Sequence, residues 1–236
     1  MNSLTDIVYP KICLCCKEKL ITPSVDELIC SQCWRKIDKN LPPFCSCCGR
    51  HLDKKNLNKS ICPACLKKNL HFDRAFSPCK YNGIMQGLIH QFKYSGKDHL
   101  GKPLSRLMIS FIKEYNLPME YMDLIIPMPL HRTKIRQREF NQAEVLGNFI
   151  SQEFNKVLNK DALKRSRFTR TQTELEFGQR HLNVKDSFSV SDEGRIKGKN
   201  ILLVDDVLTS GATSSEAALN LKKSGANIVF VLTLAN

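Results

Sequence analysis

The most constraining feature of this 236-residue chain is a repeated pattern of cysteines near its start. Ten of its 11 cysteines lie at positions 13–65, in two units offset by 32 residues. Each unit reads C-x2-C, thirteen residues, C-x2-C, and two such turns can place four thiolates tetrahedrally around one zinc ion. A unit this small buries too little apolar surface to fold alone, so metal binding would supply the folding energy. The repeat therefore predicts two zinc-ribbon-like modules, each with a structural zinc ion.

The cysteines could pair in two ways. We expect each unit to bind its own zinc ion, because each holds a complete set of four thiols; pairing across the units is the alternative. The expected ligands are Cys13, Cys16, Cys30 and Cys33 in the first unit and Cys45, Cys48, Cys62 and Cys65 in the second. The extra thiols, Cys15 and Cys47, are interpreted as spare or alternative ligands, since four C-x2-C pairs at a fixed repeat favour structural zinc over redox chemistry.

The cysteine-rich part ends near position 70, and we divide the chain there into a zinc-binding region at 1–70 and a second domain at 71–236. The second domain alternates apolar runs with stretches of helical periodicity. The predicted strands are 73–81, 123–128, 200–204 and 228–234, and the predicted helices are 83–94, 99–114, 141–154 and 213–223. This order predicts an α/β fold, an open parallel sheet with helices on both faces. In such sheets ligands bind beyond the carboxyl ends of the strands.

One polar segment follows a predicted strand directly. The run ILLVDDVLTSGAT at 201–213 places Asp205 and Asp206 after four apolar residues and continues as a small-residue turn into a helix. Backbone N–H groups, hydroxyls and the helix N-terminus in such a turn can bind a phosphate monoester. The two carboxylates beside it can accept hydrogen bonds from vicinal hydroxyls. The segment contains neither the Walker nor the dinucleotide-binding glycine motif, and it predicts a ribose 5-phosphate site.

The segment VDDVLTSGAT resembles the signature of type I phosphoribosyltransferases. From Cys13 onwards the chain resembles one branch of that group, the ComF family linked to bacterial competence. The resemblance rests on the four C-x2-C pairs and on the tracts FDRAFSPCKYNG, HQFKYSG, IIPMPLHRTKIRQREFNQAE and RTQTELEFGQRHLNVKDSF. One position departs from the pattern, since the family usually has Gly where this chain has Glu139. If the turn there needs a positive φ, Glu139 is strained.

The resemblance implies roles for two groups of residues. Those expected to bind the substrate, phosphoribosyl diphosphate, are Asp205, Asp206, Thr209, Ser210, Gly211, Ala212, Thr213, Pro127, Met128, Pro129 and Gln172. Those expected to act in catalysis are Asp205, Asp206, Arg165, Arg167 and Arg180. The acid pair would hold the ribose hydroxyls and the small-residue turn the 5-phosphate, while 127–129 match the diphosphate-binding loop. Residues 163–185 match a loop that closes over substrate, and Arg132, Arg136 and Arg138 are further candidates for binding the diphosphate.

The implied reaction is displacement of diphosphate from C1 of the ribose by a nitrogen nucleophile. Positive charge develops on the sugar ring as in other oxocarbenium-like reactions, and Mg2+ would bridge the diphosphate. The sequence does not identify the acceptor, and a protein of this fold can bind the ligand for regulation without turnover.

The net charge of +13 favours anionic partners, which include nucleic acid, phosphorylated metabolites and acidic lipid. Together with the zinc ribbons and the link to DNA uptake that the resemblance implies, this charge supports a second hypothesis, a non-catalytic competence factor that binds single-stranded DNA and other DNA-uptake proteins. Its candidates for base stacking are Trp34, Phe44, Phe140 and Phe168. A third is a structural zinc adaptor whose second domain binds no ligand. The sequence shows no apolar run long enough to span a membrane and no signal peptide, so we expect a cytoplasmic location.

Overall fold

A computed structural model describes residues 10–20, 24–53, 59–166 and 186–236. The first part contains two small modules, which we call ribbon 1 (the described residues of 10–38) and ribbon 2 (the described residues of 42–70). Ribbon 1 contains the antiparallel strands β1 (Ser24–Val25) and β2 (Ile29–Cys30). Each ribbon ends in a short helix, which is α1 (Ser31–Arg35) in ribbon 1 and α2 (Pro63–Leu66) in ribbon 2.

The two ribbons repeat the same backbone turns. The amide of Cys13 donates to the carbonyl oxygen of Glu18 at 2.8 Å, and the amide of Cys45 donates to that of Arg50 at 2.7 Å. The amides of the third cysteine of each set also match, since Cys30 and Cys62 donate to the Sγ atoms of Cys13 and Cys45 at 3.4 and 3.3 Å. The 32-residue repeat in sequence is therefore a repeat in structure.

The second part is built around a parallel sheet. The strands that follow the ribbons are β3 (Arg74–Phe76), β4 (Leu124–Pro127), β5 (Val157–Leu158), β6 (Leu163–Arg165), β7 (Phe188–Val190), β8 (Asn200–Val207) and β9 (Ile228–Ala235). Among the described residues, five of them form one sheet in the order β3-β9-β8-β4-β5, and each neighbouring pair is parallel. Strands β6 and β7 pair with each other, antiparallel, outside this sheet.

Helices cover both faces of the sheet. They are α3 (Gly83–Tyr94), α4 (Gly101–Glu114), α5 (Arg132–Arg138), α6 (Gln142–Phe154) and α7 (Ala212–Lys223), with 3-10 turns at Asp98–Leu100, Met119–Tyr121 and Glu193–Arg195. Side chains of a strand alternate between faces, so Leu202 and Val204 pack with α3, α4, α6 and ribbon 1. Leu203 packs on the other face, with α7, the β6–β7 pair and ribbon 2. The predicted α/β architecture is confirmed.

Each ribbon docks on a different part of this layer structure. Ribbon 1 lies on α3 and α4, where Gln91 Nε2 donates to the carbonyl oxygen of Leu14 at 3.1 Å. Ribbon 2 lies along the outer edge of β3, where the amide of Ala75 donates to the carbonyl oxygen of Cys47 at 2.7 Å. A Cβ atom on Gly49 would stand 2.5 Å from the carbonyl oxygen of Ala75. Glycine is therefore required at position 49 by the close approach of the two backbones.

Some elements differ from the sequence-based expectations. The first predicted strand, 73–81, is limited to Arg74–Phe76, and β8 extends three residues beyond its predicted end at 204. Helix α5 and strands β5, β6 and β7 were not predicted. The sequence of α5, RTKIRQR, has a single apolar residue and so no amphipathic pattern, and β6 pairs with a strand that lies more than twenty residues away.

Candidate functional site

The acid pair lies inside the central strand. We expected Asp205 and Asp206 to emerge beyond the end of the strand, and this was wrong, because β8 continues to Val207. Parallel pairing continues with it, since Asp205 stands opposite Thr233 of β9. Tertiary pairing here outweighs the low strand propensity of aspartate. Both acids therefore lie in the paired end of the strand, where the Cβ atoms of successive residues point to opposite faces of the sheet.

Asp206 has a cationic partner from α3. Its Oδ1 lies 2.6 Å from Lys93 Nζ, and the two side chains are 11% and 18% exposed. Burial alone would lower the pKa of Lys93, but the charge and hydrogen bond of Asp206, together with the charge of Asp205, outweigh burial and raise it. The sequence contained a signal for this lysine, because Lys93 follows the buried Ile89 by four residues and so falls on the apolar face of α3.

Asp205 has the more perturbed acidity. Burial first, and then the neighbouring charge of Asp206, raise the pKa of Asp205 to about 7, against the opposing effects of Lys93 and Arg165. Its Oδ1 accepts a hydrogen bond from the amide of Asp206 at 2.8 Å. A carboxyl group with this pKa changes its charge near neutral pH, so the approach of a cation or a set of hydroxyl donors would favour its ionised form.

Several basic side chains surround the acid pair. Arg165, at the end of β6, stacks over the ring of Phe188 at 5.3 Å, and burial lowers its pKa while Asp205 opposes that effect. Burial lowers the pKa of Lys134 to about 8, and the nearby charges of Arg165 and Arg138 contribute in the same direction. Like charges are thus held close together in a partly dry environment, and an anionic group that entered among them would relieve their repulsion.

Of the other five predicted arginines, one is buried beside these charges, two are exposed, and two lie outside the described residues. The Arg138 side chain is buried, with its guanidinium 5.0 Å from the centre of the Tyr94 ring and a hydrogen bond to Gln142 Oε1 at 3.3 Å. Arg132 and Arg136 are exposed on α5. Arg167, Arg180 and Gln172 lie outside the described residues.

The tract predicted to bind diphosphate lies beside the acid pair. Pro127 ends β4 opposite Val204, and the amide of Met128 donates to the carbonyl oxygen of Val204 at 2.8 Å. Asn141 Nδ2 donates to the carbonyl oxygen of Met128 at 3.1 Å, and Asn141 Oδ1 caps α6 by accepting from the amide of Ala143. These contacts therefore hold the turn at 127–129 in place. Its first residue, Pro127, pairs with Val204, which directly precedes Asp205.

Glu139 adopts the strained conformation that the sequence suggested. It ends α5 with φ +68° and ψ −28°, in the left-handed region. Glycine enters this region without the steric conflict of a Cβ atom, which explains why the family usually has glycine here. The turn keeps its shape in this chain at a cost in conformational energy.

The small-residue turn, which we call the phosphate loop (208–213), joins β8 to α7. Gly211 has φ +82° and is the N-cap residue of α7. The amide of Leu208 donates to the carbonyl oxygen of Ala235 at 2.9 Å, and the amide of Ala212 donates to Ser210 Oγ at 3.2 Å. Ser210, Gly211 and Ala212 are buried, whereas Thr209 is exposed and Thr213 is half-buried. The amide of Ala212 is therefore engaged within the loop.

The cysteines form two complete metal sites in the predicted sequential pairing. In each set of four, all Sγ atoms lie within 4.8 Å of one another, and the sets are Cys13, Cys16, Cys30, Cys33 and Cys45, Cys48, Cys62, Cys65. The Sγ atoms of Cys16 and Cys30 are 3.9 Å apart, and those of Cys48 and Cys62 are 3.8 Å apart. A tetrahedral zinc ion with Zn–S bonds of about 2.3 Å requires sulfur separations of about 3.8 Å. Both sets therefore fit structural zinc.

The aromatic residues considered for base stacking are partly buried and pack against the core where they are described. Phe44 contacts Tyr115 with ring centres 5.1 Å apart, and Phe140 contacts Phe92 at 5.5 Å. Trp34 packs partly buried against the core, and Phe168 lies outside the described residues. Within the described part of the chain, every helix is too short or too polar to cross a membrane.

Comparison with known proteins gives matches to both parts of the chain. The double zinc ribbon domain family matches residues 4–66, and the phosphoribosyl transferase domain family matches residues 141–236. The DNA utilization protein YhgH of Shigella flexneri is 31% identical over 171 residues, which cover 72% of this chain and 74% of that protein. Competence protein F of Haemophilus influenzae is 28% identical over 173 residues, which cover 72% of this chain and 76% of that protein.

Among solved structures, the glutamine phosphoribosylpyrophosphate amidotransferase of B. subtilis, complexed with ADP and GMP, aligns with 58% of this chain and 26% of its own. The identity is 20% and the TM-score is 0.36. The sequence relatives, by contrast, extend over most of both chains.

Proposed function

This chain belongs to the ComF family of competence proteins, and from that premise we propose that it binds phosphoribosyl diphosphate around Asp205 and Asp206 and acts in DNA uptake. The observation that carries the proposal is the junction at the end of β8. There the acid pair, the phosphate loop and the turn at 127–129 meet on neighbouring strands. These three parts match the hydroxyls, the 5-phosphate and the diphosphate of that ligand.

The charges around the junction support a polyanionic ligand. Lys93, Lys134, Arg138 and Arg165 crowd the acid pair closely enough to perturb one another. The acids accept hydroxyl hydrogens, and the cations neutralise phosphate oxygens. A Mg2+ ion carried by the diphosphate would neutralise part of its charge and keep most of its ligands as water and substrate oxygens.

Catalysis is the finer part of the proposal. Asp205 and Asp206 would stabilise positive charge on the ribose ring as the bond from C1 to the diphosphate breaks. Arg165 would neutralise the leaving diphosphate, together with Arg167 and Arg180. The proton of the nitrogen nucleophile would leave to solvent or to the departing diphosphate. The alternative is a regulatory role, in which the protein binds the ligand without turnover. Measurement of diphosphate release distinguishes this role from catalysis.

The alternative of a DNA-binding factor that stacks bases on exposed aromatic rings has less support. Two of its four candidate residues, Phe44 and Phe140, contact other rings of the core. Phosphodiester binding through basic side chains would remain compatible with the sugar-phosphate site, and it would appear as a steep dependence of DNA affinity on salt.

Isothermal titration calorimetry with phosphoribosyl diphosphate and Mg2+ tests the proposal. The wild type should bind, and the double variant Asp205→Asn with Asp206→Asn should lose at least tenfold in affinity, while the exposed Asp161→Asn should bind as the wild type does. Affinity should also fall as the pH drops below about 7, because protonation of Asp205 removes an acceptor. No binding by the wild type, or equal binding by the double variant, would contradict the proposal.

A further inference from the structure

Two basic side chains of ribbon 2 contact the phosphate loop from behind. Arg50 Nη2 donates to the carbonyl oxygen of Thr209 at 3.0 Å, and Lys68 Nζ donates to the carbonyl oxygen of Ser210 at 2.8 Å. Both hydrogen bonds have a charged donor, which makes them stronger than hydrogen bonds between neutral groups. Two consecutive peptide groups of the loop are therefore held by the zinc module.

The orientation of these peptide groups bears on anion binding. In a planar trans peptide the carbonyl group and the N–H of the next residue point in opposite directions. With the carbonyl oxygens of Thr209 and Ser210 turned towards ribbon 2, the N–H groups of Ser210 and Gly211 are directed away from it. Consecutive N–H groups on one side of a turn before a helix are the arrangement that binds a phosphate monoester.

The segment 70–72, at the end of ribbon 2, supports the same loop by packing. The nearest side-chain atoms to a Cβ placed on Gly211 would belong to Leu70, at 3.4 Å, and Phe72, at 3.7 Å. The amide of His71 donates to Ser215 Oγ, in the first turn of α7, at 3.0 Å. The back of the loop and the start of α7 thus rest on one continuous stretch that begins in ribbon 2.

Ribbon 1 has the same local fold but other contacts. The position that matches Arg50 is Glu18, which is exposed, and the position that matches Lys68 is Lys36, also exposed. Ribbon 1 contacts α3 through Gln91 and α4 through Arg106, which binds Asp26 at 2.8 Å. The chain thus offers an internal control, a zinc module of the same design that docks elsewhere.

We propose that ribbon 2 sets the shape of the phosphate loop, with Arg50 and Lys68 as positioning residues for the 5-phosphate of a pentose ligand. This inference rests on the proposed function, because it assigns the loop to that phosphate. The zinc of ribbon 2 would then be needed for ligand binding as well as for folding of the module.

The test compares two ligands that use different parts of the site. Ribose 5-phosphate depends on the phosphate loop, whereas diphosphate with Mg2+ depends on the turn at 127–129 and the nearby cations. For the double variant Arg50→Met with Lys68→Met, calorimetry should show affinity for ribose 5-phosphate lowered by tenfold or more. Affinity for diphosphate should stay within about twofold of the wild type, a change of no more than about 0.4 kcal/mol.

Two further variants separate positioning from a general structural effect. The conservative pair Arg50→Lys with Lys68→Arg keeps both donors and should restore most of the ribose 5-phosphate affinity. Lys36→Met, the matched change in ribbon 1, should bind both ligands as the wild type does. Thermal unfolding of each variant measures whether the fold as a whole is retained.

Each outcome has a distinct meaning. If the double variant binds ribose 5-phosphate as tightly as the wild type, the inference is overturned and the proposed function stands. If both ligands are lost equally, ribbon 2 supports the whole fold rather than the loop, and the inference is again overturned. If the wild type binds neither ribose 5-phosphate nor phosphoribosyl diphosphate, the proposed function fails, and this inference fails with it.

Discussion

The two ribbons share a sequence pattern, a metal site and a set of backbone turns, yet they make different contacts with the rest of the molecule. Ribbon 1 packs buried residues such as Ile29 and Ile37 into the same core as α3 and α4, and Asp26 pairs with Arg106 at its surface. Ribbon 2 lies along β3 and also reaches the phosphate loop through Arg50 and Lys68. The chain thus holds two copies of one module, and the residues at the surface of each copy determine what it contacts.

One matched pair of residues shows this at the level of a single turn. Lys17 and Gly49 occupy the same position in the two ribbons, with φ +66° and φ +70°. Lys17 is exposed, and its Nζ donates to the carbonyl oxygen of Leu14 at 3.1 Å within ribbon 1. Gly49 faces the backbone of β3, where a Cβ atom would be 2.5 Å from the carbonyl oxygen of Ala75. The same turn tolerates a side chain in one ribbon and excludes it in the other because of the neighbouring strand.

The largest effect is expected from removing one zinc ligand in each ribbon. Cys16→Ser and Cys48→Ser should each lower the zinc content from two ions per chain to one, measured by mass spectrometry of the metal. Only Cys48→Ser should weaken ribose 5-phosphate binding, by about 100-fold or about 2.7 kcal/mol, because it unfolds the module behind the phosphate loop. Equal losses of affinity in the two variants would show that the ribbons do not differ in their effect on ligand binding.

The next largest effect should come from the matched turn. Gly49→Ala should lower the free energy of unfolding by about 3 kcal/mol, since the added Cβ meets a backbone oxygen that cannot move without shifting β3. Lys17→Ala should change it by no more than about 0.5 kcal/mol. Chemical denaturation of both variants measures the difference. A loss of less than about 1 kcal/mol in Gly49→Ala would show that ribbon 2 does not pack closely against the backbone of β3.

A smaller effect isolates the cost of the backbone angle itself. Lys17→Gly and Glu139→Gly each remove the steric strain of a Cβ atom at a residue with positive φ. Each should raise the free energy of unfolding by about 0.5–1 kcal/mol. The gain is limited because glycine also increases the freedom of the unfolded chain. Denaturant titration under the same conditions as for Gly49→Ala measures it. A loss of stability in Lys17→Gly would show that its side chain makes a contribution larger than the strain.

The smallest effect is expected at the docking contact of ribbon 1. Arg106→Met should cost about 0.5 kcal/mol of stability, because the Arg106 side chain is half exposed and such ion pairs contribute little. The difference from the wild type should shrink at high salt, and ribose 5-phosphate affinity should not change. A loss of affinity in this variant would show that ribbon 1 also influences the site.

The sequence was sufficient for the features that depend on local patterns. The spacing of Cys13, Cys16, Cys30 and Cys33 predicted a metal site because ligand geometry limits such spacings to a few values. Helix α3 was predicted with the bounds that the structure has, since its apolar residues recur every three or four positions. The turn at Glu139 was anticipated from a single departure from a family pattern, and its positive φ agrees.

Features that depend on contacts between distant segments were not predictable. Arg50 and Thr209 are separated by 159 residues, and nothing near either residue in the sequence marks the other as its partner. The extension of β8 through Asp205 and Asp206 depends on pairing with β9, which overrides local propensity. Lys93 lies in a tract that carried the family resemblance, but its role depends on the proximity of α3 to the end of β8.

The contact between ribbon 2 and β3 also has a consequence for solubility. An edge strand presents unpaired N–H and C=O groups that can pair with another molecule of the same protein. In this chain the amide of Ala75, on the outer edge of β3, donates a hydrogen bond to the carbonyl oxygen of Cys47. Withdrawal of the metal from ribbon 2 would uncover that edge, so a chelator should drive the protein towards intermolecular β-pairing and aggregation.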